Sequence, residues 1–290
     1  MDMIMDALVE WLKEILVGGI VSNLSGMMDS VNQQVGDIAT QVGATPQGWN
    51  GSIYSMIRTL SDNVVVPIAG VMLALVMTLE LIEMIVEKNN MHGDVDTWMF
   101  FKWMFKSAAA VLIVTNTWNI VMAVFDVGQS LVSSAAGVIV GDPSLDMSTV
   151  LTDLETRLME MDLGPLLGIW LQSFIVHITM WALSICIFVI CYGRMLEIYL
   201  VTSAAPIPMA SMMAREGGHM GQNYLRSLFA LALQGFLIMV CVAIYAVLVR
   251  SIVLTDDIVL AIWTCVGYTV LLCFSLFKTG SLAKSVLSAH

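Results

Sequence analysis

The sequence predicts an all-α integral membrane protein, with about five transmembrane helices following an amphipathic helical N-terminal region. Composition is the first reason: 58% of the residues are apolar and 12% charged, and mean hydropathy is +0.86, whereas soluble domains carry roughly 25% charge. The second is a set of apolar runs long enough to cross a bilayer, which takes about 20 residues of helix. The third is that polar, acidic or proline-containing stretches separate those runs. Residues 1–60 form the expected N-terminal region and 61–290 the expected bundle.

Charge and cysteine usage narrow the function classes. A net charge of −11 argues against a nucleic-acid-binding surface spread over the whole chain. Cys186, Cys191, Cys241, Cys265 and Cys273 all fall in apolar runs without a CxxC pair. They read as packing residues, and no metal or cofactor motif stands out. The opening MDMIMD is acidic where a cleaved leader would be basic.

Residues 2–17 place Ile4, Leu8, Trp11, Leu12 and Ile15 on one face, with Asp2, Asp6, Glu10, Lys13 and Glu14 mostly opposite. This is an amphipathic helix too short to span. Its acidic face disfavours an anionic leaflet, so packing on a neighbouring helix or a partner is expected. After Gly18-Gly19, the residues Leu24, Met28, Val31, Val35, Ile38 and Val42 form a narrow seam. Two readings are open: a helix lying on the protein's own body, or a self-association seam in a ring of subunits. Residues 44–52 read as loop, with Ser61 or Asp62 as a cap.

The expected spans lie near 64–86, 99–125, 166–192, 224–249 and 258–277. The first tolerates Pro67 in its opening turn. Glu80 and Glu83 share a face near its far end. They are read either as interfacial residues or as a pore-lining or inter-subunit pair. The second begins near Trp98 with Lys102 and Lys106 in its first turns, and Asn116, Thr117 and Asn119 are expected to glue helices together. Between residues 141 and 164 a short amphipathic helix is expected, ended by Gly164-Pro165. In the third span His177 stands near the centre, as a neutral histidine bonded to a neighbouring helix or as a proton relay.

The third run continues through RMLEIYLVTSAA, too long for one straight crossing, into a segment from Gly193 to Gly221. That segment carries Arg194, Glu197, Pro206, Pro208, Arg215, Glu216 and His219. Proline fixes φ and removes a donor, so the helix should end or bend sharply at Pro206. Gly217-Gly218 would set the return turn.

Grouping the 87–98 loop, the 193–223 segment and the C-terminal tail on one side collects Lys88, Lys102, Lys106, Arg194, Arg215, Arg226, Lys278 and Lys284. These are eight of the 12 lysines and arginines. The positive-inside rule then puts the N-terminus outside, the C-terminus in the cytoplasm, and the proline segment on the cytoplasmic side of the plasma membrane.

At RMLEIYLVTSAAPIPMASM (194–212) the sequence resembles the TrbL-type family of polytopic inner-membrane proteins of conjugative type IV secretion systems. In recognisable residues the resemblance covers about 194–235. It implies a non-enzymatic channel or scaffold subunit of a DNA-transfer machine. It also implies homo-oligomerisation, partnership with other conjugation-machine subunits including a transfer ATPase, and nucleic acid only as part of the transported substrate. Membrane lipid is the surrounding partner. The resemblance carries over no catalytic residues. The candidate structural or translocation residues are Pro206, Pro208, Arg194, Glu197, Arg215, Glu80, Glu83 and His177.

Two other function classes stand beside this reading. A secondary transporter would use the Pro206-Pro208 break as an unwound helix at a substrate site, yet no matching break appears elsewhere in the chain. An intramembrane enzyme lacks HExxH, GxSxG and paired aspartates, and no GxxxxGK[ST] phosphate cradle occurs, so energy would come from a partner.

Overall fold

The computed structural model describes residues 2–89, 97–139, 148–212, 214, 218–252 and 258–289. Among these, every regular element is a helix: α1 (Asp2–Gly43), α2 (Pro46–Trp49), α3 (Gly51–Leu60), α4 (Val66–Asn89), α5 (Thr97–Thr115), α6 (Thr117–Ile139), α7 (Ser148–Met159), α8 (Leu163–Ser203), α9 (Pro206–Ser211), α10 (Gly218–Ile252) and α11 (Ile258–Val286). Five helical stretches of the described residues are long and apolar enough to cross a membrane: Gly51–Val86, Trp98–Thr115, Leu163–Ser203, Gly218–Val249 and Val259–Val286. The chain is an all-α membrane protein.

Several boundaries differ from the sequence expectation. Gly18-Gly19 does not interrupt α1, because burial of Leu16, Val17 and Ile20 on both flanks holds those turns together. The expected loop at 44–52 is mostly helical. Thr45 caps α2 through its hydroxyl, and the Asn50 side chain accepts the N–H groups of Ser52 and Ile53 to start α3. Ser61 and Asp62 therefore cap nothing. They lie in a π-helical turn (Ser61–Val65) inside one long helix, where Val66 N–H reaches back five residues to Ser61. The widened turn accommodates Pro67, which brings no donor and whose ring would crowd the carbonyl four residues back. Asn116, between α5 and α6, and Thr117, at the start of α6, bond carbonyls four residues back, Leu112 and Ile113 at the end of α5, instead of gluing separate helices, and Asn119 is exposed. Gly164-Pro165 opens α8 rather than closing α7, since a proline in the first turn costs no hydrogen bond.

The chain divides into two compact units. The first comprises Met1–Val42, Ser134–Cys191 and Ile238–Lys278. Here α1 lies beside the first half of α8 and points the same way. A Cβ added at Gly19 would meet the Trp170 ring, Asn23 donates to Ser173 Oγ at 3.1 Å, and Gly26 lies against the His177 ring. The numbers rise together along both helices, which makes them parallel. The seam residues Leu24, Met28, Val31, Ile38 and Val42 are buried within the chain, which is the own-body reading. The apolar face of the first four turns, from Ile4 to Ile15, stays exposed. In the same unit α10 and α11 meet through a buried hydrogen bond of 2.8 Å between the Tyr245 and Thr269 hydroxyls.

The second unit comprises Gly43–Ser133, Tyr192–Leu237 and Thr279–His290. Its core joins Val121, Val124 and Phe125 of α6, Met195 and Ile198 of α8, and Leu228, Leu231 and Ala232 of α10. Trp49 closes this core by packing edge-on to Tyr192 at 5.4 Å and against Tyr199 at 5.9 Å. The buried Tyr199 hydroxyl donates to the Pro46 carbonyl, and Trp118 Nε1 donates to the Tyr54 hydroxyl at 2.9 Å. These aromatic clamps order the 44–54 segment.

Tyr199→Phe removes the hydroxyl bond to the Pro46 carbonyl and should cost about 0.5–1.5 kcal/mol, the net range for one intramolecular hydrogen bond. Thermal unfolding in mild detergent checks this. An unchanged midpoint would mean that the clamp contributes nothing.

Candidate functional site

The proline break organises the second unit. Helix α8 has 41 residues, about 62 Å at 1.5 Å per residue, roughly twice the hydrocarbon thickness. It stops at Ser203 for a definable reason. Pro206 brings no N–H to the Thr202 carbonyl, so Ala205 N–H turns to Thr202 at 3.2 Å instead. Pro208 brings none to Ala204, and Ile207 N–H takes that carbonyl at 3.2 Å. Diverting Ala205 leaves the Val201 carbonyl without its helical donor. The Tyr224 hydroxyl, from the start of α10, fills the vacancy at 3.1 Å. Thr202 and Ser203 bond back to Ile198 and Leu200, easing the last turn.

Beyond the break, α9 is a short helix with Pro206 at its start and Pro206, Met209, Ala210 and Ser211 buried. It packs between α4 and α5, with Ala210 in one cluster with Ala69, Leu73 and Met77 of α4 and Ala110 and Val114 of α5. Ala69, Ala110 and Ala210 are all fully buried. Small side chains there let three backbones approach closely. Gly221 brings α10 equally close: a Cβ at that position would stand 2.6 Å from the Pro208 carbonyl oxygen and 2.5 Å from Met212 Cβ. Thus α9 is a wedge held by helices on both sides.

The other candidate residues are placed as follows. Arg194, on α8 before the break, is buried at 7% exposure. Its Nη2 lies 2.7 Å from where a Cβ on Gly235 would stand, so glycine opens the space for the guanidinium. Glu197, one turn on, faces Lys284 of the C-terminal helix at 3.5 Å, both half-exposed. Glu80 and Lys106 form an ion pair, with Lys106 Nζ at 2.7 and 2.8 Å from the two carboxylate oxygens. Glu83 shares with them an open cleft of about 260 Å³, completed by Met84, Met99, Lys102 and Trp103. His177 belongs to the first unit, against Gly26. Arg215 lies outside the described residues, as do Glu216 and Gly217.

The structure therefore groups Pro206, Pro208, Arg194, Glu197, Glu80 and Glu83 in one unit. Sequence reasoning missed Tyr224, Gly221, Gly235 and the role of Lys106. Gly221 and Gly235 are visible as glycines, but the close approach that requires them is a tertiary fact. Among the described residues no group of three or more His, Cys, Asp or Glu side chains is arranged to hold a metal ion.

A family model described as TrbL/VirB6 plasmid conjugal transfer like protein matches residues 31–206. The match takes in the last third of α1 and ends at Pro206, so the family likeness extends well N-terminal to the 194–235 stretch read from the sequence. No curated protein and no solved structure matches the chain.

Lys106→Met alone leaves the Glu80 carboxylate, 12% exposed, without its cation. The expected loss is about 1–3 kcal/mol. Adding Glu80→Gln should recover most of it, because removing both charges removes the unpaired group. Unfolding midpoints of the single and double variants decide this, and equal midpoints would assign the pair no structural role.

Proposed function

The chain belongs to the TrbL/VirB6 plasmid conjugal transfer-like family, and we propose that within a type IV secretion machine it serves as a non-enzymatic channel or scaffold subunit that helps move a DNA–protein substrate across the cytoplasmic membrane. The observation that carries this reading is the family match over residues 31–206, more than half of the chain. The buried wedge at Pro206–Ser211 supports a mechanical role. An element held by α4, α5 and α10 at once ties several helices together, which suits a scaffold that transmits force from a partner.

In this proposal the subunit works as a homo-oligomer, because five apolar helices are few to enclose a DNA-sized passage. A transfer ATPase supplies the energy. Arg194, Arg226, Lys278 and Lys284 favour a cytoplasmic C-terminus and proline segment, with the N-terminus outside. Glu197 and Lys284, both half-exposed, then lie on the side turned toward cytoplasmic partners, while Arg194 and the proline wedge stay buried.

Two measurements test the proposal. Deleting the gene should abolish conjugation, and the complementing protein should co-purify with other transfer subunits as a defined oligomer. Normal transfer without it would overturn the assignment. Replacing Pro206 and Pro208 together with alanine restores donors to Thr202 and Ala204. This should let α8 run on and lower transfer at least about tenfold, equivalent to roughly 1.4 kcal/mol, while membrane insertion is retained. Unchanged transfer would reduce the elbow to a connector.

A further inference from the structure

The exposed faces of two neighbouring helices in the first unit differ in chemistry. From residue 163 to 191, α8 exposes Leu167, Leu171, Phe174, Ile178, Trp181 and Phe188, an apolar stripe suited to lipid. Parallel to it runs α1, registered by Gly19 on Trp170, Asn23 on Ser173 and Gly26 on His177. From Leu16 to Gly43 no large apolar side chain of α1 is exposed. Its exposed positions are instead Gly18, Ser22, Asp29, Gln33, Gly36, Asp37 and Thr40. They are spaced by three, four or seven residues, apart from the adjacent Gly36 and Asp37, so they fall along one face of the helix.

At 1.5 Å per residue along both helices, the contact register sets Asp29 near the level of Met180 and Asp37 near that of Phe188. Both levels lie inside the apolar run of α8. A carboxylate on a lipid-facing surface at that depth costs several kcal/mol, so ionisable groups within a bilayer face protein or water. Inside the chain, the opposite face of α1 is already occupied: Val17, Ile20, Leu24, Met27, Val31 and Ile38 are buried against the unit.

We infer that the stripe from Ser22 to Thr40 faces water at the depth of the bilayer, as part of the wall of an aqueous passage. The passage reading rests on the channel role proposed above; the water-facing stripe does not. Small, neutral and acidic groups line it, without a lysine or arginine among the stripe residues. Such a wall does not hold a phosphate backbone, and a polyanion would pass along it without sticking. The alternatives are contact between copies of the chain and contact with lipid.

Cysteine accessibility separates the three, using the full chain in intact membranes and a background in which the five native cysteines are replaced. Ser22→Cys, Gln33→Cys and Thr40→Cys report on the stripe, and Phe174→Cys and Ile178→Cys on the lipid face of α8. A charged, membrane-impermeant thiol reagent needs the hydrated thiolate, so stripe positions should label at least about tenfold faster than the α8 positions. Equal labelling overturns the inference. So do stripe positions that resist the reagent and form disulfides between copies, which would make the stripe a subunit interface. Ser22→Cys is nearly isosteric and keeps the test open if a bulkier variant fails to insert. Labelling does not depend on DNA transfer, so this result and the fate of the channel role are read separately.

Discussion

Two missing backbone donors, at Pro206 and Pro208, shape the half of the chain that carries the candidate site. In an apolar environment a main-chain group cannot fall back on water, so each break must be repaired locally. Here the repair is specific. Ala205 and Ile207 shift to nearer carbonyls, Tyr224 caps the Val201 carbonyl that Ala205 gives up, and Ser211 Oγ bonds the Pro208 carbonyl at 2.8 Å. Because Tyr224 sits on α10, the repair of α8 also docks α10. The wedge that follows is then trapped by Ala69 and Ala110 on one side and Gly221 on the other.

Charges follow the same economy of placement. Glu80 has little exposure, and its two oxygens are matched by one ammonium from the next helix. Arg194 is buried in a space made by the absent side chain of Gly235. Glu197 and Lys284 are half-exposed, where an ion pair contributes little to stability and serves orientation instead. The family is a structural component of conjugation, and these arrangements read as parts of a framework. The stripe on α1 is the exception, as its polar groups are left facing outward beside an apolar helix.

Much of this was legible in one dimension. Apolar runs identified the spans because hydropathy is a local property summed over about 20 residues. The stop at Pro206 was legible because proline acts on its own backbone. His177 was read as a neutral histidine bonded to a neighbouring helix or as a proton relay; the structure places its ring against Gly26 of α1, a neighbour that the sequence could not name. The helix caps at Thr45 and Asn50 were overlooked because the 44–52 stretch looks loop-like in composition, though both residue types are standard N-caps.

The sequence by itself determined an all-α membrane protein, its apolar helices, the break after α8 and the kinship visible around it. Each of these depends on residue type and near-neighbour spacing. Only the tertiary structure decided that Lys106 neutralises Glu80, that Tyr224 completes the broken turn, and that α9 is a buried wedge. It also decided that α1 runs beside α8 with its polar stripe outward. Those facts join residues far apart in the chain, and which helix packs against which depends on shape complementarity between whole faces, a property that no local window of sequence contains.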